Sequence, residues 1–200
     1  GLVGSEMCIR DRERITKSRA FAVDSKVIES REYADKFDLM ANSPQERREF
    51  LKAAKELLQH RSGQNGEDLY LYNRDRQTWV KSVTGDKPGT PEYTVEIFNA
   101  IKKAKEKGEQ VVAFHNHPGS MPPSAADINA ALQNGYSAGY VLCHDGTIYK
   151  YSAPKTKIID AIYNKRVDSF KKTGYNEGDA QRKALEYLSE LYDFSFREVK

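Results

Sequence analysis

The sequence predicts an α/β (α+β) fold: a central mixed sheet flanked by helices, with further helices at both ends of the chain. Three patterns support this prediction. Helical apolar periodicity alternates with short apolar strands through the middle of the chain. One of these strands, at residues 110–114, is apolar on both faces, as expected for a central strand covered on both sides. The stretches before and after this region carry only helical patterns.

The N-terminal part is predicted to be helical. Residues 27–39 place apolar side chains at helical spacing. A second helix should begin after Ser43, because Ser is a favoured N-cap and Pro44 suits the first helical position. Glu46 would complete a capping box, and the helix should end near His60.

The middle and the C-terminal part alternate between strand and helix patterns, separated by turns rich in Gly and Pro. The strands are predicted at 69–73, 79–84, 110–114, 139–143 and 147–151, and the helices at 93–107, 124–134, 158–171 and 178–192. The last two strands should form a hairpin that turns at Asp145-Gly146.

Four segments are predicted along the chain. Residues 1–12, GLVGSEMCIRDR, resemble translated sequencing-adapter read-through, so we interpret them as non-native and expect the natural N-terminus to be missing. Residues 13–62 form an N-terminal helical region, and residues 154–200 form a C-terminal helical extension. Residues 63–153 form the domain that carries the candidate site. Whether the chain is a fragment of a longer protein is left open.

The composition argues against several classes of partner. The net charge is only +3, and Lys and Arg are interspersed with Asp and Glu, so a nucleic-acid surface is not expected. No apolar run approaches the roughly 20 residues of a membrane span, and no secretory signal is present in the sequence. Cys8 and Cys143 are far apart, which makes a disulfide framework implausible. A cytoplasmic location is expected, and the oligomeric state is left open.

The chemistry-bearing residues lie between residues 111 and 127. His115 and His117 are two residues apart at the end of a strand, so their side chains should share a face. The following loop leads to Ser124 at a helix start, with Asp127 one turn inside the helix. Two histidines and one carboxylate, with water in the fourth position, are typical of a catalytic zinc site.

Each part of this pattern also has an ordinary interpretation. An isolated His-x-His is common by chance, and Ser124-x-x-Asp127 alone fits a helix capping box. Because all the parts occur in one order and at one spacing, we predict that His115, His117 and Asp127 hold one Zn²⁺ ion.

The stretch His115-Asn116-His117-Pro118, followed by a short loop and Ser124-Ala-Ala-Asp127, resembles the signature of the JAB/MPN metallopeptidases, also called JAMM proteins. This family includes deubiquitinating isopeptidases and bacterial RadC-like proteins. The wording of the motif is most similar to the RadC-like and phage-associated bacterial branch. Five residues separate Pro118 from Ser124, where family members usually have six, so a tighter loop is expected here. The resemblance spans residues 63–151 and implies a cytidine-deaminase-like fold.

The resemblance also implies a glutamate at the start of an upstream strand, acting as the general base. Glu67 is the best match, although Asp68 or Glu96 could take this role instead. By the same resemblance, zinc activates a water, Glu67 takes its proton, and Ser124 donates a hydrogen bond to the oxyanion. The implied reaction is hydrolysis of a peptide or isopeptide bond. The substrate would be a protein or peptide, and its identity is open between a ubiquitin-like tail, a capsid precursor and a small amide conjugate.

The motif has three alternative functional interpretations. The letters His-Asn-His suggest an HNH nuclease, but that name describes dispersed residues rather than a tripeptide. A JAB-like binding or structural module without turnover is the stronger rival, and the complete set of ligands favours the enzyme. A role associated with DNA rests only on analogy with the RadC-like branch.

The sequence predicts structural roles for four other polar residues. Asn116 should face away from the two histidines and support the fold. His60 should sit at a helix C-terminus, where a cation is favoured. His144 should lie in a turn rather than bind metal, and Cys143 should be part of the core.

Overall fold

The structure, a computed structural model, describes residues 14–200, so the predicted non-native segment 1–12 and Cys8 lie outside the described residues. The strands are β1 (Leu69–Asn73), β2 (Thr78–Ser82), β3 (Val111–His117), β4 (Ala138–Cys143), β5 (Ile148–Tyr151) and β6 (Phe196–Glu198). The α-helices are α1 (Ser25–Ile28), α2 (Arg31–Asp35), α3 (Pro44–Arg61), α4 (Val95–Lys107), α5 (Ala125–Asn134), α6 (Asp160–Lys172) and α7 (Glu177–Tyr192). Short 3-10 helices occupy Arg19–Phe21 and Lys36–Leu39.

These strands form one six-stranded mixed sheet in the order β2-β1-β3-β4-β5-β6. β3 and β4 run parallel and are connected through α5, whereas the other neighbouring strands pair antiparallel. The predicted mixed α/β class is therefore confirmed. The sheet also places β3 at its centre, as its two apolar faces indicated.

The strands alternate between two cores because successive side chains point to opposite faces of the sheet. Tyr70 and Tyr72 of β1 pack with Phe114 of β3 against the N-terminal helices, which contribute Ile28, Tyr33, Phe37, Phe50, Leu57 and Leu58. Leu69 and Leu71 face the opposite core, which α4 to α7 cover with Ile97, Ile101, Ile128, Val167, Leu185 and Leu188. The N-terminal helices therefore form one layer on the sheet, and α4 and α5 form the other together with the helices of the C-terminal extension.

The start of α3 differs in detail from the predicted capping box. Ser43 Oγ accepts a hydrogen bond from the Glu46 N–H at 3.1 Å, as predicted. The Glu46 carboxylate, however, accepts from the N–H of Asn42 at 2.5 Å rather than from Ser43. It also pairs with Arg74 at 3.0 Å. The second half of the predicted box is thus shifted by one residue.

The predicted single helix at 27–39 is wrong. The chain forms α1, α2 and a 3-10 turn there, because Ser30 begins a new helix. Ser30 Oγ accepts the N–H of Tyr33 at 3.1 Å, which makes Ser30 the N-cap of α2. A side chain that can cap a helix competes with continuation of the preceding one.

Two strands also differ from prediction. β3 extends to His117 instead of ending at Phe114, so both histidines lie within the strand. β6 was not predicted, and it pairs antiparallel with β5, with Tyr151 opposite Phe196. The C-terminal extension therefore supplies an edge strand of the sheet in addition to its helices.

Within residues 14–200, no helix is both long and apolar enough to traverse a bilayer.

Candidate metal centre

The two histidines of β3 face the same side of the sheet, towards the N-terminus of α5. Their Nε2 atoms lie 3.1 Å apart. His117 Nδ1 lies 2.8 Å from the carbonyl oxygen of Met121. Because a carbonyl can only accept, Nδ1 carries the hydrogen, and in the neutral ring Nε2 then holds a free lone pair. The loop after β3 thus fixes the orientation of the His117 ring and directs Nε2 towards His115 and Asp127.

Asp127 faces the histidines from the first turn of α5. Its Oδ1 lies 3.4 Å from His115 Nε2, and its Oδ2 lies 3.4 Å from His117 Nε2. Ser124 is the N-cap of this helix and forms a full capping box with Asp127. The Ser124 N–H and hydroxyl donate to Asp127 Oδ2 at 2.7 and 2.8 Å. The capping box and the candidate ligand set therefore share the same carboxylate.

The spacing of these three groups fits one zinc ion. Zinc binds nitrogen and oxygen at about 2.0–2.2 Å in a tetrahedron, which places two ligands roughly 3.3–3.5 Å apart. The observed separations are 3.1 Å between the two nitrogens and 3.4 Å from each nitrogen to the carboxylate. The donor set leaves a fourth position for water or substrate, as catalytic zinc sites require.

Glu67 lies beside this triangle, just before β1. One oxygen of its carboxylate and one ring nitrogen from each of His115 and His117 all lie within 4.8 Å of one another. These three atoms are close enough to hold a metal ion. The residue is 5% exposed, and burial raises the pKa of its carboxyl group, partly offset by the charges of the two histidines. Asp127 has a carboxylate oxygen 3.4 Å from each ring nitrogen, so Asp127 and Glu67 are both candidates for the third ligand.

The two alternatives to Glu67 point elsewhere. The Asp68 carboxylate is fully buried and pairs with Arg61 Nε at 2.6 Å and His60 Nδ1 at 2.5 Å. Glu96 lines a separate cavity of about 460 Å³ between α4 and the β1–β2 hairpin. The structure therefore brings Glu67, and neither of these residues, to the histidines. It also shows that His60 pairs with Asp68 besides lying at the end of α3.

His117 and Asp127 shift each other's pKa. Burial would lower the pKa of His117, but the pairing with Asp127 and the charge of Glu67 outweigh it and raise this pKa to about 9. Burial would raise the pKa of Asp127, but the two histidines hold it well below its usual value. Without a metal, the site therefore holds a protonated His117 against an ionised Asp127.

Ser124 has one hydroxyl hydrogen, and the structure directs it to Asp127 Oδ2. Ser124 Oγ itself accepts the Asp127 N–H at 3.2 Å. To donate to an oxyanion, the hydroxyl has to rotate away from Asp127. The structure thus gives Ser124 a definite role in orienting Asp127.

The candidate centre opens into a cleft of about 320 Å³. Glu67, His117, Ser124 and Asp127 lie in its wall. The rest of the wall comes from several parts of the chain and includes Phe21, Asn65, Pro88, Gly89, Met121, Pro122 and Gln181. The segment before α1 and helix α7 therefore both shape access to the site, a contribution that the sequence motif did not reveal.

Asn116 and His144 are buried polar residues next to the site. Asn116 is 0% exposed and faces away from the two histidines, as predicted. His144 is 2% exposed, and its Nε2 lies 2.9 Å from Asn116 Nδ2. A polar residue on the apolar inner face of a central strand needs buried partners, and that signal in the sequence could have pointed to this pair.

Comparison of the chain with protein-family models, with curated proteins and with solved structures found no match. The fold and the site define a mixed α/β protein with a candidate metal centre at the carboxyl end of its central strand. The case for a function therefore rests on the geometry of this centre.

Proposed function

We propose that this chain is a zinc-dependent hydrolase of the JAB/MPN type that cleaves a peptide or isopeptide bond. The observation that carries the proposal is the triangle formed by His115, His117 and Asp127. The two ring nitrogens lie 3.1 Å apart and each lies 3.4 Å from one oxygen of the carboxylate, close to the ligand separations of a tetrahedral zinc site. Two neutral imidazoles and one carboxylate form the donor set of an open, catalytic zinc site.

A bound zinc ion would supply Lewis acidity, which lowers the pKa of water and polarises the scissile carbonyl group. Glu67, whose carboxylate lies within 4.8 Å of both histidine rings, would accept a proton from the attacking water and deliver it to the leaving amine. Its raised pKa brings the carboxyl group closer to the range in which it can both accept and donate near neutral pH. Ser124 orients Asp127 and can donate a hydrogen bond to the carbonyl oxygen after its hydroxyl rotates.

The rival function is a binding module that keeps the fold without turnover. Such a module needs no complete ligand set and no buried base facing it. Here Glu67, His117, Ser124 and Asp127 line one cleft, with His115 next to His117 and Asp127. The coincidence of these groups favours the enzyme.

The cleft bears on the class of substrate. Its walls join apolar side chains, such as Met121 and Pro122, to a few polar groups around the centre. This composition suits a polypeptide segment that packs apolar side chains against the walls and brings one amide group to the polar centre. We therefore propose a protein or peptide substrate.

The first experiment measures the zinc content of the purified protein by elemental analysis. We expect close to one zinc per chain, and loss of zinc in the H115A/H117A double variant. His60→Ala is the matched control, because His60 is a histidine outside the triangle. A wild-type chain that holds no zinc after loading and removal of the excess would overturn the proposal and favour the binding module.

The second experiment tests turnover with zinc-loaded protein on peptide and isopeptide substrates. Glu67→Gln should keep zinc and reduce the rate by about 10²-fold or more, because it removes the general base. Equal rates for this variant and the wild type would exclude Glu67 as the base.

A further inference from the structure

Asn116 occupies an unusual place in β3. It lies between His115 and His117, but its side chain projects from the opposite face of the strand, where Val112 and Phe114 are packed in the core. The residue is completely buried. A buried amide in this position is costly unless all of its hydrogen-bonding groups are satisfied.

The Asn116 amide binds the backbone on both sides of Glu67. Its Oδ1 accepts the N–H of Asp68 at 2.8 Å, and its Nδ2 donates to the carbonyl oxygen of Gly66 at 3.0 Å. The regular ladder between β1 and β3 begins only at the pair Leu69 and His115. Asn116 therefore continues the link between the two strands beyond the ladder and fixes the peptide groups that flank Glu67.

His144 fixes the orientation of this amide. The carbonyl oxygen of Phe21 lies 2.6 Å from His144 Nδ1, so that nitrogen carries the hydrogen. In the neutral ring His144 Nε2 is then an acceptor, and it accepts the second hydrogen of Asn116 Nδ2 at 2.9 Å. Every donor and acceptor of the Asn116 side chain has a partner, and only one orientation of the amide satisfies all of them.

The residues next to Glu67 are also held in place. Arg61 pairs with the buried Asp68 carboxylate at 2.6 Å and donates to the Gly85 carbonyl at 2.9 Å. Gly66 has no room for a side chain, because a Cβ there would lie 2.6 Å from Ile15 Cδ1 and would contact Arg61. Asn116, Arg61 and Ile15 thus restrict the backbone around Glu67. Of these three residues, Asn116 is the one that lies in the strand of the histidines.

We infer that Asn116 is a positioning residue for Glu67, held in orientation by His144, and that it couples the base to the strand that carries the metal ligands. This inference rests on the proposed function, because it assigns to Glu67 a role beside a bound metal. A base must be held close to its productive geometry, and contacts that orient such groups commonly account for 10–100-fold in activity or metal affinity.

The test uses Co²⁺ alone as the probe, bound in place of zinc. The visible absorption of the cobalt-loaded protein is recorded against pH, and it reports an ionisation at the metal site. In Glu67→Gln this transition should shift, because the carboxylate beside the metal is neutralised. Asn116→Ala and Asn116→Ser should shift it in the same direction by about one pH unit, a tenfold change in the ionisation equilibrium. Asn116→Ser keeps a polar atom in the buried strand but is too short to reach both flanking peptide groups.

The matched control is Asn129→Ala. Asn129 also clamps a backbone, with contacts of 2.8 and 3.0 Å to the N–H and carbonyl of Ile158, so its loss removes comparable hydrogen bonds away from Glu67. This variant should keep the wild-type cobalt transition. Combining E67Q with N116S should add no shift beyond that of E67Q, because both changes act through one carboxylate.

The outcomes separate the two proposals. In one outcome, the wild type binds cobalt and E67Q shifts the transition, but both Asn116 variants keep the wild-type transition. This result would overturn only the positioning role of Asn116. Additive shifts in the double variant would overturn it as well, since Asn116 would then act without Glu67. Failure of the wild type to bind cobalt, or an unshifted E67Q, would overturn the proposed function itself.

Discussion

Asp127 serves two structural purposes with a single carboxylate. It accepts hydrogen bonds from Ser124 at the start of α5, and it faces both histidines of β3. The fold therefore fixes this carboxylate before any metal arrives. Such preorganisation reduces the conformational entropy that metal binding would otherwise cost.

We predict that Ser124→Ala weakens zinc binding by about 10–100-fold, because the second partner of a metal ligand commonly has an effect of this size. The lost cap should also lower the free energy of unfolding by about 1 kcal/mol. Ser43→Ala removes a comparable N-cap at α3, away from the site, and should cost similar stability with no change in zinc affinity. Competition with a chromophoric chelator measures the affinity, and equal zinc affinity in both variants would contradict the prediction.

The raised pKa of His117 makes zinc uptake dependent on pH. The reference pKa is 6.5 and the value in the folded, metal-free protein is about 9. Protonated His117 therefore stabilises the metal-free protein below pH 6.5, and this contribution is lost as the pH rises through about 9. Zinc needs the neutral ring, so its affinity should rise with pH over this window by up to about tenfold per unit. Calorimetry in buffers of different ionisation enthalpy should detect a released proton, and an affinity independent of pH would refute this.

At this scale the sequence predicted which side chains lie together at the candidate centre, but not the contacts that hold them in place. The spacing of His115 and His117 determines their common face in any strand, because the alternation is local. The contacts of Asn116 depend on how β1 lies against β3, some fifty residues apart in the chain, and no local pattern encodes that register.

Among the elements, β4 depends on a close approach that only glycine permits. Gly139 lies opposite Tyr151 of β5, and the Tyr151 ring covers it so closely that a Cβ would overlap the ring. An aromatic residue that covers a glycine across a strand pair helps to define the register of that pair.

We predict that Gly139→Ala lowers the free energy of unfolding by about 1–3 kcal/mol, the usual cost of overpacking a core. Gly178→Ala in α7 is the control, since its Cβ would have an ordinary contact of 3.6 Å with Met121 Sδ. That change should be neutral or stabilising by up to about 1 kcal/mol, as for Gly→Ala in a helix. Urea unfolding of both variants measures the difference, and equal stability would contradict the account of Gly139.

Elements with strong local signals were predictable. β1 matches residues 69–73 because apolar and aromatic residues fill it, and α3 begins at Pro44 because Ser43 caps it. β6 was missed because only three residues form it and two of them, Arg197 and Glu198, are charged. Its strand conformation comes from pairing with the edge of β5, which is a tertiary effect.

For the whole molecule, zinc binding and folding should be linked. The ligand groups converge only when β3 and α5 are packed together, so zinc binds the folded chain in preference to the unfolded one. At a free zinc concentration of about 100 times the Kd, the stabilisation is about 2.7 kcal/mol. In a chain of this size this raises Tm by roughly 5–10 °C.

Thermal unfolding with and without a chelator tests this linkage. The wild type should lose the increase in Tm when zinc is removed, and the H115A/H117A variant should show no increase at any zinc concentration. Equal responses of the two proteins would show that zinc acts elsewhere on the chain.

The order of the helix and strand patterns predicted the class of fold. It did not predict which face of the sheet each helix covers. Each amphipathic helix shows in its sequence that it has a buried side, but not which face of the sheet will cover it. That choice is made by packing, with α3 against Phe114 of β3 and α5 on the opposite side.

The alternation of side chains along β3 couples the register of this strand to both the core and the candidate centre. If β3 paired one residue out of step with β1, both histidines would turn into the aromatic core under α3, and Asn116 would face α5. The same error would displace Phe114 from that core, so a misaligned strand loses its packing and its metal ligands together. If the proposed zinc site is correct, a molecule that binds zinc has therefore assembled its central strand in the correct register.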